Sequence, residues 1–149
     1  MPAGSAWSPS AIDLGLGRAP GTDQITSFAL QRDRRQGIPD DFPDQLAELL
    51  GYLEDRLPAD HPFRRLADLP GGDERPEVWL LGSSPDSAGW AAERGLGYAF
   101  ADFINPQGAA LAERYRTRFA GSERLAAPRL AIAVWAICAG TDEEARRLV

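Results

Sequence analysis

The sequence predicts an α/β domain built from four parallel strand–helix units, and three features carry that expectation. Apolar runs alternate with segments of helical periodicity in the order β-α-α-β-α-β-α-β-α, the pattern of parallel strands joined by helical crossovers. The run Leu130 to Cys138 has nine residues and no charge, as in strands buried on both faces. Two apolar runs, Ile12 to Gly17 and Val78 to Gly82, stop at glycine and lead into helix-opening residues. Four such units make half of an eight-unit barrel or a small open sheet, and the pattern by itself leaves both open.

Taken in order, residues 1–10 are small and polar with two prolines and are expected to be a disordered lead-in to a domain spanning residues 11–149. Residues 11–16 form a short first strand. Thr22 can cap a helix with Ile25, Phe28 and Ala29 on its inward face, stopped at Gly37. Asp41 caps a second helix, in which Leu46, Leu49, Leu50, Leu53 and Leu57 recur at helical spacing. Pro58 to Pro76 holds four prolines and two glycines and reads as a loop. Glu77 to Leu81 is the second strand, Ser84 the cap and Pro85 the first residue of the next helix, and Gly95 its stop. Tyr98 to Phe103 is the third strand. Asn105-Pro106 opens a helix with Leu111, Ala112, Tyr115 and Phe119 inward. Leu130 to Cys138 is the fourth strand, and Thr141-Asp142-Glu143-Glu144 is a capping box.

Composition narrows the function. The chain has 149 residues and a net charge of -6, so it lacks the basic face that a nucleic-acid backbone demands. One cysteine and one histidine argue against an intrachain disulfide and against a protein zinc site. No apolar run approaches the ~20 residues that span a bilayer, and Met1 to Ser10 has neither the cation nor the apolar stretch of a signal peptide. The expected location is the cytoplasm.

The chemistry-bearing residues cluster at the two strand ends. Gly82, Ser83, Ser84 and Ser87 could hold a phosphate through backbone N–H groups, hydroxyls and the helix dipole, or could simply be a well-capped helix. Gly15-Leu16-Gly17-Arg18 lacks the third glycine of a dinucleotide fingerprint. It is a tight turn with a surface arginine, or a place where Arg18 meets a ligand as a fixed, bidentate cation. His61 reads as a loop histidine with no nucleophile beside it. Cys138 reads as an inert buried thiol, Asp102 could line a pocket or simply cap the helix that follows it, and Trp79, Trp90 and Trp135 read as core rather than a cofactor box.

Four motifs together resemble the bacterial luciferase-like flavin-dependent monooxygenases. They are Ile12-Asp13-Leu14-Gly15-Leu16-Gly17-Arg18-Ala19-Pro20-Gly21-Thr22-Asp23, Pro76-Glu77-Val78-Trp79-Leu80-Leu81-Gly82-Ser83-Ser84, Tyr98-Ala99-Phe100-Ala101-Asp102-Phe103-Ile104-Asn105-Pro106, and Cys138-Ala139-Gly140-Thr141-Asp142-Glu143-Glu144-Ala145. The resemblance implies a partial TIM (β/α)8 barrel and a cofactor that is reduced flavin mononucleotide (FMN) or the deazaflavin F420. It further implies a reaction in which dioxygen and the reduced cofactor oxidise a small organic substrate. By position, Arg18 looks like the family's phosphate-binding arginine, and Ser83, Ser84 and Ser87 look like its phosphate loop. The family carries further strand–helix units before and after this stretch. The resemblance therefore implies a truncated chain that is inactive alone, and exposed strand edges that drive homo-oligomer formation. The alternative is a non-catalytic α/β domain that binds a phosphorylated ligand or a partner chain.

Overall fold

The computed structural model describes residues 12–18, 25, 26, 29, 41–68 and 75–149. The elements are β1 (Asp13–Gly17), α1 (Phe42–Leu53), a 3-10 turn (Arg64–Asp68), β2 (Glu77–Gly82), α2 (Pro85–Glu93), β3 (Gly97–Ala101), α3 (Gly108–Arg118), β4 (Leu130–Ala133) and α4 (Asp142–Arg147). The strands form one sheet in the order β1-β2-β3-β4, all parallel. The expected α/β alternation is therefore present. The chain separates within β2 into two compact units, residues 1–78 and 79–149.

In the first unit, α1 buries Leu46 and Leu50, and Leu57 is buried beyond the helix end. Leu57 lies against Gly51, where an added Cβ would meet its side chain at 2.9 Å. Asp41 occupies the N-cap position of α1 but makes no side-chain cap bond. Its carbonyl instead accepts from the N–H groups of Asp44 and Gln45. Ile25 and Ala29 are helical but exposed, so the face they share is not buried as expected; periodicity sets a face but supplies nothing to cover it. The lead-in at 1–10, Thr22, Phe28 and Gly37 lie outside the described residues.

The second unit has a continuous core. Strand alternation sends Leu80, Tyr98 and Phe100 to the face that α2 and α3 cover, and Ala88, Ala91, Ala92, Leu96, Leu111 and Tyr115 complete it. Small residues on α2 let α2 and α3 pack on each other and on β3. Helix α2 ends in a Schellman motif: Leu96 N–H bonds Ala91 O at 2.9 Å and Gly95 N–H bonds Ala92 O at 3.3 Å. Gly95 sits at φ +59 there, and a Cβ on it would meet Ala120 O at 2.7 Å, so both backbone conformation and space require glycine. The β2–β3 register sets Trp79 opposite Gly97, where the indole occupies the volume a side chain would need.

Several expectations are corrected here. The third strand ends at Ala101, because Ile104 and Asn105 N–H both bond Ala101 O and turn the chain. The fourth strand ends at Ala133, not Cys138. Ala133 pairs with Ala101 and accepts from Asp102 N–H; beyond that point β3 offers no more backbone to pair with. The run is not buried on both faces as expected: Ala131, Ile132 and Ala133 are exposed although they pair with β3, and so are residues 134–138, with Trp135 81% exposed rather than core and Cys138 exposed rather than buried. The last helix is capped by Thr141 Oγ1 from Glu144 N–H, while Glu144 Oε2 reaches back to Gly140 N–H. That contact lies one residue earlier than the expected box.

Tyr115 is the polar pin of this core. It is fully buried, donates to Leu96 O at 2.8 Å and accepts from Arg129 N–H at 3.0 Å. Tyr115→Phe leaves both backbone groups without this partner and is expected to cost about 1–3 kcal/mol in urea unfolding. Burial raises the phenol pKa of both Tyr98 and Tyr115 above the ordinary value of 10.0. The folded state thus keeps protons that the unfolded chain loses, and stability is expected to fall as pH rises past about 10. Urea midpoints between pH 8 and 11 measure this.

Candidate functional site

Strand β2 ends at Gly82, and two residues later the chain enters α2. Ser84 is extended, at φ -113 and ψ 158, and Pro85 supplies the first helical residue. Ser84 Oγ accepts from Ser87 N–H at 3.2 Å, and Ser87 Oγ accepts from Ser84 N–H at 3.3 Å. Ser87 Oγ also donates to Ser84 O at 2.8 Å. This reciprocal cap is the reason the chain turns sharply into the helix at this point. Gly82 is required by close approach, since a Cβ there would stand 2.3 Å from Ser87 Oγ.

The loop is held from β3 and the β3–α3 connection as well. Tyr98 OH donates to Gly82 O at 3.2 Å and lies 3.2 Å from Ser87 Oγ. Asn105 Nδ2 donates to Ser83 O at 2.8 Å, and Asn105 Oδ1 accepts from Gln107 N–H at the start of α3. The N–H groups of Ser83 and Asp86 and the Ser83 hydroxyl bond to none of the described residues. Three donors therefore remain beside the positive end of a helix. Asp86, exposed in the first turn, is the one acidic side chain of that turn and opposes an anion there.

Gly82, Ser83, Ser84 and Ser87 are thus gathered at one strand end, but not in equal roles. Ser87 is buried with its hydroxyl inside the cap, while Ser83 and Ser84 are half-buried. Arg18 belongs to the other unit; it follows Gly17 at the C-terminal end of β1 and is exposed. Asp102 does not cap α3, whose N-cap position is Gln107, because the turn after Ala101 sets Asp102 too far upstream. His61 pairs with Glu48 at 3.2 Å, accepts from Phe63 N–H and stacks edge-on with Tyr52 and Phe63, tying its loop to α1. Among the described residues no group of three potential ligands could hold a metal, and no helix is long and apolar enough to cross a membrane.

Tyr98 and Asn105 were not singled out as site residues from sequence. The available signal was a tyrosine inside an apolar strand, whose hydroxyl needs a buried partner, and an Asn-Pro turn directly after that strand.

The luciferase-like monooxygenase family matches residues 6–149. The chain is 45% identical over 142 residues to the Bacillus subtilis protein YwcH, covering 95% of this chain and 42% of that one. It is 40% identical over 147 residues to the N-acetyl-S-alkylcysteine monooxygenase of Bacillus subtilis, covering 96% of this chain and 42% of the relative. In structure it is similar to apo-MsnO8, with a TM-score of 0.73, 39% identity, and coverage of 93% of this chain and 40% of that chain. The chain belongs to the luciferase-like monooxygenase family. Its strand–helix units are a stretch of that family's TIM barrel, and it spans about two fifths of the length of the curated relatives it matches.

Because Ser87 is buried beside Gly82, it has little room to yield. Gly82→Ala is expected to force the cap open and to lower stability by about 1–3 kcal/mol. Thermal and urea unfolding of the variant measure the loss.

Proposed function

We propose that this chain carries the phosphate-holding part of a monooxygenase site that uses reduced FMN, with F420 as the alternative cofactor. The observation that supports it most directly is the Ser84–Ser87 cap, which leaves the N–H groups of Ser83 and Asp86 and the Ser83 hydroxyl without a partner among the described residues at a helix N-terminus. A phosphate is the anion such a donor set suits. In this proposal the Ser83 N–H and hydroxyl and the Asp86 N–H face the phosphate, Ser84 and Ser87 keep the turn in shape through their reciprocal cap, and Gly82 permits their close approach. By family resemblance Arg18, in the first unit, is proposed as a phosphate-binding cation.

The cofactor, when bound, supplies the redox chemistry with dioxygen; the protein's part is to bind, orient and exclude water. The substrate class is a small organic molecule. Thioethers are the first to test, because one relative is named for oxidising an N-acetyl-S-alkylcysteine.

Titration calorimetry without oxygen, comparing reduced FMN with reduced riboflavin, tests the phosphate assignment. Wild-type chain is expected to prefer FMN, and Arg18→Ala and Ser83→Ala are each expected to weaken FMN about five- to tenfold while leaving riboflavin within twofold. Equal losses for both ligands would remove the phosphate assignment, and tighter binding of F420 than of FMN would exchange the cofactor.

We also propose that the chain self-associates along β4, the outer strand of the sheet. Ile132 in β4 and Val134 and Trp135 just beyond it are all more than half exposed, and an uncharged edge strand is a pairing template. Sedimentation at low micromolar concentration is expected to show a dimer or larger species, and Val134→Lys to shift it toward monomer.

A further inference from the structure

We infer that Tyr98 and Asn105 are positioning residues for the Gly82–Ser84 loop and set its preference for a phosphorylated cofactor; this rests on the phosphate assignment above. Neither residue belongs to the loop. Tyr98 comes from β3 and Asn105 from the β3–α3 connection, so the next unit of the fold shapes the turn of the one before it.

The geometry works through the peptide planes. In a planar trans peptide the C=O and the N–H point in opposite directions. Tyr98 OH binds Gly82 O at 3.2 Å, which turns the N–H of Ser83 away from the buried side. Asn105 Nδ2 binds Ser83 O at 2.8 Å, which turns the N–H of Ser84 the other way, onto Ser87 Oγ at 3.3 Å. One clamp thus exposes a donor and the other completes the cap. A glycine followed by two serines has many backbone conformations open to it. Donors fixed before binding need no reordering when the anion arrives.

Both clamps are themselves held in place by packing or hydrogen bonds. Tyr98 is fully buried, and its ring is packed against Tyr115 at 5.5 Å and Phe100 at 6.4 Å. Its hydroxyl also lies 3.2 Å from Ser87 Oγ, so it steadies the cap from below. The Asn105 amide is oriented by Gln107 N–H, which bonds its Oδ1 at 3.1 Å and leaves Nδ2 toward Ser83.

The test reads the ratio of riboflavin Kd to FMN Kd for reduced ligands without oxygen, together with urea unfolding. Tyr98→Phe and Asn105→Ala are each expected to lower the ratio about three- to tenfold, the effect of one misplaced hydrogen bond, with riboflavin affinity within twofold. Asn105→Asp, which removes the donor and adds a negative charge, is expected to lower it further. Tyr115→Phe also removes a buried hydroxyl from the same core but touches no loop carbonyl; it is expected to lower stability and leave the ratio unchanged. A wild-type ratio above one that survives Tyr98→Phe and Asn105→Ala overturns the positioning role while the phosphate assignment stands. Parallel losses for both ligands assign the two residues to folding alone and overturn it too. A wild-type chain that binds FMN and riboflavin alike, or neither, overturns the phosphate assignment and the positioning role with it.

Discussion

The hydroxyl of Tyr98 is the contact around which the second unit is arranged. It lies in a fully buried side chain of the central strand β3, where an unpaired phenol would cost more than the bond itself contributes. Its available partners are the last carbonyl of β2 and the hydroxyl of the α2 cap. Satisfying that group therefore fixes where β2 ends and how α2 begins. The Ser84–Ser87 cap, the glycine at 82 and the Asn105 bond to Ser83 are all consistent with that single constraint.

Tyr115 has the matching task at the other end of the same core. Its hydroxyl joins Leu96, where the chain leaves α2, to Arg129, where it enters β4. Two tyrosines packed at a tilt thus hold the two ends of α2, Tyr98 at Ser87 and Tyr115 at Leu96. The flanking helices could then vary on their exposed faces without disturbing the strand end, which is a suitable basis for a binding loop.

The outer strand shows what happens where such a constraint is missing. From Val134 onward the sequence has the composition of a strand, and the structure leaves it outside the ladder and exposed. Backbone pairing needs a neighbour of equal length, and β3 turns away after Ala101. The aromatic contact between Phe103 and Trp135 joins two segments that both passed beyond the end of the sheet.

Local sequence was enough for features governed by local physics. The alternation of strands and helices, the Ser84 cap with Pro85 behind it, the Gly95 stop and the leucine stripe of α1 each depend on neighbours within a few residues, and each was legible there. The gathering of Gly82, Ser83, Ser84 and Ser87 follows from that same stretch. What required the tertiary structure depends on residues far apart in the chain. The length of β4 is set by β3, the exposure of β4 and of Trp135 and Cys138 beyond it depends on what the fold packs against them, and the capping role expected of Asp102 was lost to a turn made by the carbonyl of Ala101. The orientation of the Ser83 and Ser84 peptides is decided by Tyr98 and Asn105, up to 22 residues away. No periodicity encodes such a bond, because it exists only once parallel strands bring the ends of successive units side by side.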